Sequence, residues 1–338
     1  MTADSPEAKP TFLKPSQVEA LALAQGFTQA KFLPNAPHVR FPSEAFEHWL
    51  QQGYHADMAW MTRHKSQRLH PATLVQEAQE GGFMVESILV VTMNYAQDVR
   101  RSDTTTPKIA RYARGRDYHR VIKKRLQTLL KHLQADYPTL QGRAFTDSAP
   151  MLERAMVVQA GLAWQGKNCN IISPAHGSYL FIGSLFLSLP LELEKADAFS
   201  LPVMPDLCGK CSRCIQACPT EALLEDTRQL DANKCIAYWT IEATHTTPIP
   251  DTIASKAQGW VFGCDICQEV CPWNIKFARP TTEPDFLTPK HPWQQHPTAS
   301  WLSQATETTF AQAMAGTPLM RAGLQRLQHT WQQVIATH

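Results

Sequence analysis

The sequence predicts an α+β fold: about 195 residues of mixed helix and strand, then a cysteine-rich segment, then a helical tail. Three observations predict it. Helix signals alternate with β-branched apolar runs through the first half of the 338 residues. Eight of the nine cysteines fall between Cys208 and Cys271, in two runs that each end in Cys-Pro. Beyond residue 285 an amphipathic helical pattern continues without cysteine. The length allows about two or three domains at ~100–200 residues each, and a 43% hydrophobic content suits buried cores.

The elements follow in order. Ser16-x-x-Glu19 reads as a capping box opening a helix that Gly26 closes. Ser43 begins a second helix, ending near Gly53. Ser87-Ile88-Leu89-Val90-Val91-Thr92-Met93 is a run suited to a buried strand. Asp117 caps a long helix with the stripe Val121, Ile122, Leu126, Leu129, Leu130 and Leu133. Pro150 lies near the first turn of a further helix that Gly161 terminates. Tyr179-Leu180-Phe181-Ile182 and Leu185-Phe186-Leu187 supply strand material. The cysteine-rich segment runs from about Phe199 to Pro284. Thr317-Pro318 opens a final helix carrying Leu319, Leu324, Leu327, Trp331 and Val334. The longest stretch without Asp, Glu, Lys or Arg, Asn168 to Leu191, is broken by Pro174, Gly177, Gly183 and Pro190. Its apolar part is shorter than the ~20 residues a membrane helix needs, so it reads as buried strand and turn. Beyond the two cysteine runs there is no internal repeat. No Gly-x-Gly-x-x-Gly or Walker-type loop supports a dinucleotide or nucleotide site.

The cysteines carry the chemistry. Cys208-x2-Cys211-x2-Cys214-x3-Cys218-Pro219 matches the bacterial ferredoxin pattern for [4Fe–4S] clusters, in which the fourth Cys ligates the other cluster. Cys264-x2-Cys267-x3-Cys271-Pro272 is one Cys short, and Cys235 is the natural replacement. The crossover partitions the thiols into Cys208, Cys211, Cys214 and Cys271 for one cluster and Cys218, Cys235, Cys264 and Cys267 for the other. Zinc is the plainer alternative, since paired Cys-x2-Cys knuckles also bind it, but the third Cys at x2 and the terminal Cys-Pro favour cubanes. Nothing marks the chain as secreted, which disfavours a disulfide framework. The segment Met1 to Pro15, with Asp4, Glu7, Lys9 and Lys14, reads as neither a Sec signal nor a twin-arginine leader. A cytoplasmic protein with no membrane partner is expected. The net charge of +2 is too mild to declare nucleic-acid binding by itself. Nearly 200 residues precede the cluster module, so electrons are delivered to something held in the N-terminal part.

Four groups of strings make the resemblance: Arg116-Asp117-Tyr118-His119, Asp147-Ser148-Ala149-Pro150, Gly166-Lys167-Asn168-Cys169, and the cysteine runs with Gly263-Cys264-Asp265 and Cys271-Pro272-Trp273-Asn274. In this order and spacing they resemble the epoxyqueuosine reductases, from about residue 15 to 335. Gly316-Thr317-Pro318-Leu319 with Arg321 and Gly323 is similar to the short members. The resemblance implies a nitroreductase-like α/β cobalamin domain (residues 1–198), a ferredoxin-like domain with two [4Fe–4S] clusters (199–284) and a short helical C-terminal cap (285–338). It implies reduction of epoxyqueuosine to queuosine at wobble position 34 of tRNAs with GUN anticodons, the last step of queuosine formation. Cobalamin is bound base-off, resting as cob(II)alamin, and a low-potential external donor recharges a monomeric enzyme. Asp117-Tyr118-His119 begins like the Asp-x-His-x-x-Gly corrinoid string, but Ile122 replaces its Gly, consistent with cobalt lacking a histidine ligand.

By the same resemblance Asp147 is the proton donor and a cofactor contact. Its plainer role is a helix N-cap, which would stabilise the carboxylate rather than its acid; burial against the corrin would have to raise its pKa. Arg68, Ala110, Lys167, Asn168, Ile171, Ile182, Ala237, Cys264 and Asp265 are the remaining corrin contacts, with core packing the alternative for Ala110 and the isoleucines. Cys169 reads as a small buried residue. From Lys108 to Lys131 nine Lys or Arg accompany one acid, Asp117. Arg114 and Arg116, beside Tyr112 and Tyr118, are expected to meet the anticodon stem-loop of tRNA. Glu242 and Ala243 form a second contact implied by the family. The rival readings are a cytoplasmic corrinoid/iron–sulfur reductive dehalogenase, a ferredoxin-type electron-transfer subunit, and a structural metal module that binds RNA.

Overall fold

Among the described residues the strands are β1 (Gln29–Phe32), β2 (Ser87–Asn94), β3 (Lys108–Ile109), β4 (Gly142–Phe145), β5 (Trp164–Gln165), β6 (Ile171–Ile172), β7 (Leu180–Leu187) and β8 (Trp260–Phe262). The structure is a computed structural model that describes residues 11–98, 106–192, 204–225, 227–244, 247–287 and 289–336. The start of the cysteine-rich segment near Phe199, the chain's first ten residues and part of the stretch Glu242 to Pro248 lie outside them.

Four strands make one antiparallel sheet in the order β1-β2-β7-β4. The central pair, β2 and β7, runs in register from Ser87 opposite Leu187 to Asn94 opposite Leu180. All of β2 except Asn94 is buried, which is why it reads as a continuous apolar run; both sheet faces are covered. On one face the long helix Tyr118–Asp136 presses Val121, Ile122, Leu126, Leu129 and Leu133 against Leu89, Val91, Leu185 and Leu187. On the other, Met156 and Val157 pack on Ile88, Val90 and Phe186. The two apolar pieces on either side of Gly183 are one strand. A Cβ at Gly183 would stand 2.7 Å from Ile122 Cγ2, so the glycine lets the helix approach the sheet.

Several end signals work as the sequence reads. Asp117 accepts from the His119 amide and caps the long helix. Helix Glu44–Gln51 follows Ser43, and Gly53 turns left-handed behind it. Others differ. The first helix, Pro15–Ala24, is preceded by Lys14 with no side-chain cap, so Ser16 lies inside it and the capping box does not form. The helix expected from Pro150 begins only at Glu153, because residues 147–152 form a turn around Asp147. Pro318 opens a 3₁₀ turn to Arg321, and the last helix proper is Gly323–Ala336.

In the cysteine-rich segment short helices carry or follow the ligand cysteines: Arg213–Ala217 with Cys214, Ile266–Glu269 with Cys267, and Pro272–Phe277 after Cys271, the last with its proline in the first turn. Strand β3 pairs parallel with β8, which ties the N-terminal part to the cysteine segment. One core cluster draws Ile109 and Ala113, Val261 and Phe262, and Trp293, Leu302, Phe310 and Leu327 together. The C-terminal helices therefore complete a core that the other two segments begin. Among the described residues no helix is long and apolar enough to cross a membrane.

Candidate functional site

All nine cysteines are free thiols. Four of them, Cys208, Cys211, Cys214 and Cys271, line one cavity of about 370 Å³ together with Lys167, Asn168, Leu207 and Trp273. That is the first set of the crossover partition. Burial raises the Cys214 thiol to about 11, with Cys208, Cys271 and Cys211 adding to it. Burial likewise raises Cys264, with Cys235, Asp265 and Cys218 reinforcing it, and Cys267, with Cys264 and Cys235. Buried thiols held up in this way ionise only against a compensating cation, so metal binding and proton release are coupled. A void this size among four thiols suits a polynuclear cluster. Zinc, with Zn–S bonds of ~2.3 Å, would draw its sulfurs around one point. Trp164 Nε1 donates to Cys208 Sγ at 3.5 Å, and the Ala222 amide to Cys218 Sγ at 3.3 Å. The ninth cysteine, Cys169, is buried outside both sets and its Sγ meets the Arg228 carbonyl at 3.3 Å.

Asp147 has φ +54 and caps no helix. Its amide donates to Glu153 Oε1 at 2.7 Å, which holds the turn. Its carboxylate, about half exposed, accepts from the Tyr118 hydroxyl and lies 3.3 Å from His119 Nε2. The other ring nitrogen, Nδ1, sits 2.7 Å from Asp117 Oδ1. Tyr118 is stacked between the His119 ring and Phe181. Burial alone would lower His119, but its bonds to Asp117 and Asp147 outweigh that and bring it up to about 9. Burial alone would raise Asp147, but His119 and Tyr118 hold it below the usual carboxylate range. Burial pushes Glu153 up to about 8, aided by Asp147. The expected raised pKa of Asp147 is therefore not what these neighbours produce: they favour its carboxylate form and the charged form of His119. Sequence reasoning placed Tyr118 in a basic, aromatic surface for tRNA rather than beside Asp147, and gave Glu153 no role. The adjacency of Tyr118 and His119 at a helix start was the available signal; nothing in one sequence ties them to a carboxylate 29 positions on.

The other expected contacts fall in different places. Asn168 is buried, and its Nδ2 has no partner among the described residues, leaving a donor for an amide or phosphate acceptor. Lys167 reaches the Gly209 carbonyl at 2.9 Å. Ala110 packs beside Cys264. Asp265 is buried and accepts from the Arg111 amide at 2.8 Å and from its guanidinium at 3.1 Å, while Glu269 takes the same guanidinium at 2.7 Å. Ile182 is half-buried and Ala237 stands before a π-helical turn, Tyr238–Glu242. Arg68 is buried, with Nε and Nη2 on the carbonyls of Arg63 and Trp60, and Ile171 is packed in the second core.

Two expected tRNA contacts are corrected. Arg114 is buried and its guanidinium bonds the carbonyls of Ile109 and Gln295; it is a strut and presents no charge to solvent. The Ala243 side chain is buried beside Ala232 and Tyr238. Arg116 is exposed and ion-paired with Asp285 at 3.3 Å. Glu242 pairs with Arg321 at 2.5 Å.

Two family models match. "Epoxyqueuosine reductase QueG, DUF1730" covers residues 68–148, and a 4Fe-4S double cluster binding domain covers 207–274. An epoxyqueuosine reductase of Cyclobacterium marinum is 39% identical over 309 residues, 90% of this chain and 90% of the relative. One from Pseudomonas aeruginosa is 41% identical over 285 residues, 83% of this chain and 74% of the relative. A crystal structure of epoxyqueuosine reductase with an epoxyqueuosine-modified tRNA-Tyr stem loop superposes with a TM-score of 0.79 at 24% identity, covering 95% of this chain and 80% of that one.

Proposed function

The chain belongs to the epoxyqueuosine reductase family, and from that premise we propose how its residues reduce epoxyqueuosine to queuosine in tRNA. The reaction takes up two electrons and two protons and releases the epoxide oxygen as water. The chain therefore has to deliver single electrons at low potential and place a proton at the departing oxygen.

Cys208, Cys211, Cys214 and Cys271 hold one [4Fe–4S] cluster and Cys218, Cys235, Cys264 and Cys267 the other. Cobalamin, when bound, would supply a reduced cobalt that is nucleophilic toward carbon. The residues suit such a cofactor: the unpartnered Asn168 amide offers a donor, and Cys264 and Asp265 adjoin Ala110 at the junction of the two parts. Asp147 Oδ2, ionised at rest, relays to the epoxide oxygen a proton drawn from His119. The protonated His119 Nε2 lies 3.3 Å away, and Asp117 holds the opposite face of that ring. Tyr118 orients the carboxylate, and Glu153 keeps its backbone in the left-handed turn. Arg116, with Glu242 and Arg321, faces the tRNA. An external low-potential donor recharges the clusters of a monomer, and eight thiols committed to iron fit the reducing cytoplasm.

The observation that carries this reading is the Asp147 carboxylate held between Tyr118 and His119 in a chain that also gathers Cys208, Cys211, Cys214 and Cys271 around one cavity. Its test is anaerobic incubation of reconstituted protein with epoxyqueuosine-tRNA, cobalamin and a reductant, followed by nucleoside analysis. Queuosine is expected from the wild type. Asp147→Asn retains iron and corrinoid but forms none. Near-normal turnover by that variant would remove Asp147 from its role, and no product from loaded wild type would favour a bare electron-transfer subunit.

A further inference from the structure

The two thiol sets have different surroundings. Cys264, in the second set, packs with Ala110, Ile236 and Tyr112, toward the Asp147 side of the molecule. The first set lines a cavity whose rim includes the exposed Leu207 and Lys276. The first set is therefore approached from the surface through that rim.

The surface around that rim has a distinct character. Segments 207–217 and 272–280 carry Lys210, Arg213, Lys276 and Arg279 and no Asp or Glu. All four cations are exposed, and none forms an ion pair among the described residues. The nearest acids in sequence are already engaged: Asp206 by Arg228 and Glu269 by Arg111. Between the cations stand exposed apolar side chains, Leu207 at 39% and Ile275 at 66%. Arg213 and Ile275 also line a second, more open hollow together with Glu269.

We propose that this face is the docking surface for an acidic one-electron carrier protein. The proposal rests on the family reaction, which requires an external electron source. Unneutralised positive charge steers a negatively charged partner and speeds encounter, and it does so in a salt-dependent way. Leu207 and Ile275 supply the apolar contact a protein partner buries and a phosphate backbone does not use. In each encounter the carrier is oxidised by one electron and the cubane held by Cys208, Cys211, Cys214 and Cys271 is reduced by one. Two encounters supply the pair the epoxide needs, and the protons come through His119 and Asp147.

The test is stopped-flow reduction of the anaerobic, iron-loaded protein, using an acidic flavodoxin hydroquinone and, separately, the reduced methyl viologen radical. With flavodoxin the wild-type rate is expected to fall at least tenfold from low to high salt. Lys210→Glu/Arg213→Glu/Lys276→Glu is expected to be at least tenfold slower at low salt, with the salt dependence flattened. With the methyl viologen radical, itself a cation, the variant is expected to be reduced at least as fast as the wild type. Equal flavodoxin rates in the two proteins, or a wild-type rate indifferent to salt (which needs no variant), would overturn the proposal. Weakened binding of a tRNA anticodon stem-loop by the variant, with flavodoxin rates intact, would assign the face to RNA instead. Because the readout is cluster reduction, a wild type that is reduced but forms no queuosine would count against the family reaction and not against this face.

Discussion

Asp147 and His119 hold their charges through each other, and that sets a pH window. His119 sits at about 9 against an ordinary 6.5. Its charged form contributes fully below 6.5, and the contribution fades as pH rises through about 9. Asp147 is lowered from 3.8, so its share is present above that value and lost only as pH falls through the lower one. The pair is complete between these limits. Turnover is expected to decline on the alkaline side near pH 9, and His119→Gln to lower kcat and abolish that limb; a pH profile of kcat checks it. The Asp147 string was legible through the family likeness, while its partner Glu153 was not, because a backbone amide bonding a side chain leaves no pattern. Arg114 shows the opposite failure. Counting cations finds a basic loop, but the 3₁₀ turn Arg111–Ala113 directs the next arginine inward. Arg114→Ala is expected to cost about 2–4 kcal/mol in denaturant unfolding, as it strands two buried carbonyls, and to leave the salt slope of tRNA binding alone. Arg116→Glu is expected to reduce that slope by about 1–2 with little loss of stability.

The elements that read clearly are those whose burial follows one period. The stripe of the long helix is such a case: Leu126 and Leu129 are fully buried against the sheet. Leu126→Ala is expected to lower stability by about 2–5 kcal/mol by leaving a cavity, measured by urea unfolding with iron content monitored. Strand β2 was equally plain, since a strand covered on both faces has no polar alternation to confuse it. Ends were harder. The Ser16–Glu19 signature is chemically sound, yet Pro15 already occupies the first turn, so the helix starts before its supposed cap. Gly183 reads as a break and is instead the place where strand and helix come closest. Local signals name residues able to end or cap an element; only packing decides which of them do.

Across the whole molecule, the cysteine spacing gave the grouping of the thiols, because ferredoxin-type loops fix which sulfurs can share a cluster. The junctions were not legible. Pairing of β3 with β8 and the core shared by Ile109, Phe262 and Trp293 join segments far apart in sequence, and no short-range pattern announces them. That junction is what brings the second thiol set beside Ala110 and, through Tyr112, toward Asp147. The account stands on two clusters being present together, one from each set. Iron and acid-labile sulfide counted per chain after anaerobic purification test this most directly, on the wild type and on Cys271→Ala. About eight of each in the wild type and about four in the variant are expected. About four in the wild type, or a variant that retains all eight, would contradict it.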